Sequence, residues 1–443
     1  MTRLFETEID IAIPEASEGL FRHIERAVAD QFGGDLEPIR FVVNQTADEH
    51  FRCEVGVLEG TERARRAETP SIFDFRQRAF ADESDFNSAF LVPTGIGCEI
   101  GGHAGDANAA ARLIGEVCDT LITHPNVVNA SDINELPDNG LYVEGSIITR
   151  LMMGTVGLRP VRNNRVLTVM DTPDEEMFRN VTVNSVSAAR ASYGLESAGV
   201  VGLDPSLSME AEYAPSGRAV GTVDGLDELF ELLDERAGDF DAVALSTGIQ
   251  VPDSYHLGYF QAGGEMINPW GGVEAMLTHA ISHIYNLPAA HAPMELSREI
   301  SSLDPGVVDP RMAAEAISTG YLMCALKGLK RSPSIVTDPH YFAQNGILSA
   351  RDLSCLVIPD KCIGLPTLAA LEHGIPVVAV GENDNIMEND LTDLPWADGQ
   401  LLRVDNYWEA AGVLQAMKAG IAPKSVRRPL EGTPHEVYRS EER

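Results

Sequence analysis

The sequence predicts an α/β protein: mostly parallel sheets flanked by helices, Rossmann-like, with a small N-terminal α+β unit. Three observations carry that expectation. From about residue 90 onward, short apolar runs alternate with helix patterns, as strands and crossover helices of parallel sheets do. A strand–loop–helix segment over residues 91–118 is dense in glycine. A second strand–loop–helix–strand unit spans residues 355–380.

A chain of 443 residues exceeds one ordinary core, so several units are expected. They are an α+β unit at 1–88, a central α/β domain with the glycine loop at 89–265, a C-terminal α/β domain with a nucleotide-like module at 266–423, and a charged tail at 424–443. In the first unit, the alternation Glu8-Ile9-Asp10-Ile11-Ala12-Ile13 predicts a strand. A helix follows at 19–32, strands at 39–43 and 51–58, and a polar surface connection at 61–85. In the central domain, strands are expected at 90–92, 120–123, 141–143, 166–170, 199–203 and 242–245, with helices at 107–118, 183–193 and 226–236. In the C-terminal domain, helices are expected at 273–285, 312–329 and 366–373, with strands at 355–358 and 376–380. Asp309 and Pro310 read as the cap and first residue of the 312–329 helix. Ala313, Ala316, Gly320 and Cys324 form one tightly packed face of it.

Lys and Arg total 33 against 67 Asp and Glu, a net charge of −34. The acids are spread along the chain rather than gathered in a tail, so a halophilic surface is the simplest account. Such a chain makes a poor nucleic-acid binder, because phosphate backbones require a basic footprint. No apolar run reaches the ~18 residues of a membrane span, and the opening MTRLFETEIDIAIPEAS has no apolar signal core. The six cysteines show no CxxC or dense spacing, which fits reduced thiols. A cytoplasmic location is therefore expected.

The glycine-rich segment places Gly95, Gly97, Gly101, Gly102 and Gly105 within eleven residues. That density suits a backbone that turns with positive φ or approaches a ligand closely, at the strand edge where open α/β sheets bind ligands. It matches neither phosphate-loop fingerprint. Asp106 reads as the cap of the next helix, and there it competes with an anionic ligand. A hydroxyl, amine or metal-bridged group suits it better. His103 is a candidate acid–base group, or a histidine bonding its own loop. Cys98 reads as buried packing rather than a nucleophile. His124, Asn126 and Asn129 follow the next strand, and Glu144 the one after. They are a candidate polar rim or, in the simpler reading, turn and helix caps. Arg150, Arg159, Arg162 and Arg165 either bind an anion or pair with surface carboxylates.

After residue 245 a long loop carries Asn268, Gly271 and Gly272 into a helix with Glu274 in its first turn. His279 and His283 stand at i and i+4, with His291 beyond, so a metal site is considered. The Glu of H-E-x-x-H is missing, and solvated or core histidines are the simpler reading.

In the C-terminal unit Lys361 and Gly364 precede a helix with no acidic cap, which favours an anion at its N-terminus. Gly364, Thr367, Leu368, Ala370, Gly374 and the run Pro376 to Ala379 resemble the donor-side module of two-domain glycosyltransferases and nucleotide-sugar epimerases. That resemblance implies sugar or ribose contacts at Glu382 and Asn383. Taken together, PTGIGCEIGGHAGDA, THPNVVNA, YVEG and GIPVVAV resemble an uncharacterised family, domain of unknown function 3326, from about residue 90 onward. The family carries over no activity, cofactor or catalytic residue.

The functional expectation is a metabolic enzyme, a transferase or isomerase/lyase. It would act on a small polar, phosphorylated or nucleotide-linked substrate in an interdomain cleft. His103 or His124 would exchange the proton, with Glu144 or Glu274 as partner. No cofactor is specified. Neither nucleic acid nor membrane is expected as a partner, and a homo-oligomer is left open. The alternative is a non-catalytic small-molecule-binding or assembly protein using the same cleft.

Overall fold

The computed structural model describes residues 2–12, 19–32, 36–46, 50–60, 70–79, 85–295, 297–318 and 320–437. Of the expected connection at 61–85, residues 61–69 and 80–84 lie outside the described residues, as does Ile13 of the first strand. The fold is mixed α/β, and three sheets organise it.

The first is a six-stranded parallel sheet. Its order is Leu401–Val404, Val377–Val380, Leu353–Pro359, Asn87–Phe90, Thr120–Thr123 and Gly140–Tyr142. The chain therefore builds half of this sheet early and half some 200 residues later. The expected boundary at residue 265 does not coincide with a sheet boundary. Asn87–Phe90 and Val377–Val380 are buried throughout, as strands with both faces covered must be.

The second is a four-stranded parallel sheet in the order Glu196–Leu203, Arg165–Asp171, Ala242–Thr247, Ala289–Pro293. The third is antiparallel and six-stranded: Ser208–Tyr213, Ala219–Asp224, Arg3–Ala12, His50–Glu59, Leu36–Thr46, Ile363–Gly364. The expected N-terminal strands are its centre. Its outer strands come from the central and C-terminal regions, and this large antiparallel sheet was absent from the mostly parallel expectation. Its hidden members are short and polar on one face, as in the sequence SMEAEY. The expected polar connection is partly core as well, since Ile72 and Phe73 are buried.

Two helices differ from expectation in ways that shape the site. Residues 312–329 do not form one helix. A short helix Ala313–Ala316 ends, and a second starts at Leu322 after Tyr321 adopts φ 46°. Asp132 holds the break, accepting from Ser318 Oγ and from Met323 N at 3.2 Å. The helix after the glycine loop, Asn108–Gly115, is capped by Ala107 with no side-chain bond. Asp106 instead accepts from Gly101 N within the loop at 2.8 Å.

Candidate functional site

The carboxyl ends of both parallel sheets open into one cavity of about 430 Å³. Its walls include Leu91, His124 and Glu144 beyond three strands of the six-stranded sheet, and His291 and Met294 from the end of the four-stranded one. Phe41 and Arg40 of the antiparallel sheet close another side.

Glu144 is 2% exposed and serves two structures at once. As N-cap of helix Gly145–Met152, its Oε2 accepts from Ser146 N at 2.9 Å and Ile147 N at 3.3 Å, and from the Ser146 hydroxyl. Its Oε1 accepts from His279 Nδ1 at 2.5 Å and Thr278 Oγ1 at 3.3 Å. Burial pushes this carboxyl up, but the His279 charge and the bonds from His279 and Ser146 outweigh it and hold Glu144 below its ordinary value. The bond fixes the His279 proton on Nδ1, and no protein group among the described residues bonds its Nε2. His279 itself lines the cavity.

His124 lines the same cavity, and its Nε2 accepts from Val92 N at 3.1 Å. The proton therefore sits on Nδ1. Burial and the neighbouring His279 charge bring it down to about 4, against the opposing pull of Glu144, so it is neutral near pH 7.

A second polar cluster forms another wall. The break after Ala316 lets the buried Glu315 carboxyl reach the glycine loop. There its Oε1 accepts from Ala104 N at 2.5 Å, and from Tyr259 Oη and Asn268 Nδ2 at 3.3 Å each. Its Oε2 has no partner among the described residues. Burial raises Glu315 to about 7. His103 stands behind this wall, 4% exposed, bonded to the Tyr259 hydroxyl at 2.6 Å and brought down to about 4 by burial and Arg311.

Among the expected site residues, Gly102, His124, Asn126, Asn129, Glu144, Asn268, Gly271, Glu274, Gly364 and Thr367 share the cavity wall. Several of them also hold the scaffold. Asn126 donates to Val92 O and Gly101 O, Asn129 to Tyr142 Oη, and Asn268 accepts from Trp270 N and Gly271 N. Glu274 lies 3.5 Å from His291 Nδ1.

Gly95, Gly97, Gly101, Gly105, Gly272, Asp106, Lys361, Glu382 and Asn383 are not on that wall. The glycine density serves close packing more than ligand contact. A Cβ on Gly105 would stand 2.0 Å from Ala130 Cβ, and one on Gly102 would stand 2.1 Å from Cys98 O. Asp106 is turned inward on the loop, where burial raises it to about 7. The Lys361 ammonium pairs with Asp384 at 2.5 Å. Glu382 is exposed, while Asn383 is fully buried and ties Ile100 to Tyr407.

The three histidines considered for a metal face different partners: Glu144 for His279, Glu37 for His283 at 3.5 Å, and Thr247 with Glu274 for His291. Among the described residues, no group of three or more His, Cys, Asp or Glu side chains is placed to hold a metal ion. The pairing of His279 with Glu144 and the role of Glu315 were missed by sequence reasoning. The i, i+4 histidine spacing was a signal for His279; Glu315 offered none.

The architecture defines a class: an α/β protein with a largely apolar cavity at the carboxyl edge of parallel strands, with a Glu–His pair in its wall. The chain belongs to the family described as protein of unknown function, DUF3326, whose model matches residues 87–427. The match begins at the first residue of the strand that opens the glycine segment. An uncharacterized lipoprotein of Synechococcus sp. is 33% identical over 342 residues, covering 76% of this chain and 92% of its own. No solved structure matches the chain. No described helix is long and apolar enough to cross a membrane.

Proposed function

We propose that the protein is an acid–base enzyme, an isomerase/lyase or transferase, acting on a small polar, phosphorylated or nucleotide-linked substrate in this cavity. The observation that carries the reading is the 2.5 Å bond from His279 Nδ1 to Glu144 Oε1, which leaves Nε2 unengaged at the cavity. A buried carboxylate that orients an imidazole and stabilises its cation is how proteins equip histidine as a base. His279 Nε2 takes the proton, and Glu144 holds the ring. Glu315, protonated up to about pH 7, supplies a carboxylic acid from another wall. His103 supports that acid through Tyr259. A cavity of this size suits a small metabolite.

The reading borrows the habit of Rossmann-like sheets, which present ligand-binding groups at their carboxyl edge where strand order reverses. Here that point lies between Asn87–Phe90 and Leu353–Pro359. Location belongs to the proposal too. The acidic, lysine-poor surface suits a salt-rich cytoplasm, whereas the relative's name points to membrane attachment. Fractionation of cells expressing the protein separates the two.

Solvent-proton exchange tests the chemistry. Incubated in heavy water with a panel of phosphorylated metabolites, the wild type should label one substrate carbon, and His279→Ala should not. Labelling that survives His279→Ala would sink the reading.

A further inference from the structure

Two helices packed side by side point their N-termini at the cavity, and only one of them is filled. Helix Gly145–Met152 and helix Leu365–His373 run the same way, because His373 Nε2 at the end of one meets Met152 O at the end of the other at 2.8 Å. Gly145 and Ser146 from the first and Leu365 and Pro366 from the second all line the cavity. The Glu144 carboxylate occupies the first N-terminus. The second starts at Gly364, has no side-chain cap and has no acid in its first turn. A helix N-terminus without a carboxylate favours an anion through its dipole and its free amides, of which Pro366 here supplies none.

A second observation points to the same ligand. Arg150 lines this cavity and is 3% exposed, yet among the described residues its guanidinium has one hydrogen-bond partner, Asn286 Oδ1, at 2.7 Å from Nη2. Its Nε and Nη1 are buried with no partner among the described residues. A buried guanidinium is ordinarily satisfied by a carboxylate or phosphate fork. Glu144, whose charge acts on Arg150, is already committed to His279 and to its helix cap. The other buried arginines of the wall also carry nitrogens without a hydrogen bond, but each faces carboxylates: Arg218 faces Glu54 and Glu6, and Arg40 faces Glu6.

We propose that the cavity holds a compact oxyanion, a phosphate monoester or a carboxylate, between the N-terminus of helix Leu365–His373 and the guanidinium of Arg150. This deepens the proposed function and rests on it for the claim that a substrate enters the cavity. It places the substrate's charged end near the C-terminal module, without Lys361, whose ammonium is already paired with Asp384. The reacting end then lies toward His279.

Anion binding to the full chain, read as the rise in melting temperature with inorganic phosphate or with succinate, tests the assignment. Wild type and His279→Ala should respond alike, and Arg150→Gln should bind about tenfold more weakly or worse. Gly364→Asp guards against misfolding of the arginine variant. Its Cβ meets nothing closer than 3.6 Å, so the new carboxylate should cap the helix, raise the ligand-free melting temperature and abolish the anion response. A stronger response to phosphate assigns a phosphate monoester, and a stronger response to succinate a carboxylate. No response in wild type to either anion, or a response of wild-type size in both Gly364→Asp and Arg150→Gln, overturns the proposal. An intact anion response in a protein that labels no substrate in heavy water would instead leave the subsite standing and remove the acid–base reading.

Discussion

Glu144 and His279, 135 residues apart in sequence, meet at 2.5 Å across the cavity wall, and the same carboxylate caps helix Gly145–Met152. One side chain thus couples the position of a base to the start of a helix. The two roles separate by substitution. Glu144→Ala should lose the cap, at about 1–2 kcal/mol, and also leave His279 unpaired. Glu144→Gln should lose less, and His279→Ala least, since the cap survives it. Urea midpoints of the three variants should fall in that order.

Glu315 gives the stability a pH signature. Its folded value is about 7 against an ordinary 4.5, so between those values the folded state holds a proton that the unfolded chain has released. Stability from this group is therefore complete below pH 4.5 and lost as pH rises to 7, by up to roughly 3 kcal/mol. His103 and His124, lowered to about 4, act in the opposite sense between 4 and 6.5, so the wild-type curve alone does not isolate Glu315. The difference between wild type and Glu315→Gln does. It should fall between about pH 4.5 and 7 in urea unfolding, and parallel curves would contradict the assignment.

Glycines of the site should be intolerant of substitution where they pack closely, as in the glycine loop, and tolerant where they do not, as at Gly364. Gly105→Ala combines φ +93° with a 2.0 Å clash on Ala130, and Gly102→Ala drives a methyl to 2.1 Å from Cys98 O. Each should cost about 3 kcal/mol or more, or prevent soluble expression. Gly364→Ala, with its nearest contact at 3.6 Å, should remain within about 1 kcal/mol of wild type. Parallel thermal melts of the three variants check the contrast.

Asn383 joins the glycine loop to the C-terminal module through Ile100 N, Ile100 O and Tyr407 Oη, each at 2.8 Å. Asn383→Ala strands these buried groups and should cost about 2–4 kcal/mol. Its effect on ligand affinity should follow from this loss of fold, so that bound ligand is retained by whatever fraction stays folded in a native mass spectrum.

What the sequence disclosed follows from range. Glu144, His124 and Asn126 sit directly after strands whose apolar runs are plain, so their place on a shared rim was legible. The helix carrying His279 was legible too, but its partner caps another helix 135 residues earlier and no local pattern announces the pairing. Ala313, Ala316, Gly320 and Cys324 have helical spacing, and the break that exposes Glu315 depends on Asp132, far away in the chain. The strands Ser208–Tyr213 and Ala219–Asp224 were not anticipated, because they complete the antiparallel sheet only through the long-range pairing of Ala219–Asp224 with Arg3–Ala12. Asp106 looked like a cap because caps are local, whereas its actual acceptor role closes the loop on Gly101.

The central claim, that His279 held by Glu144 is the proton-transferring group, meets its most direct test in single-turnover kinetics. The substrate for these would be the small molecule found bound by native mass spectrometry. His279→Ala should bind it within about threefold of wild type and turn it over roughly 10²–10⁴-fold more slowly. Unchanged turnover in His279→Ala, or a loss confined to binding, would contradict the account.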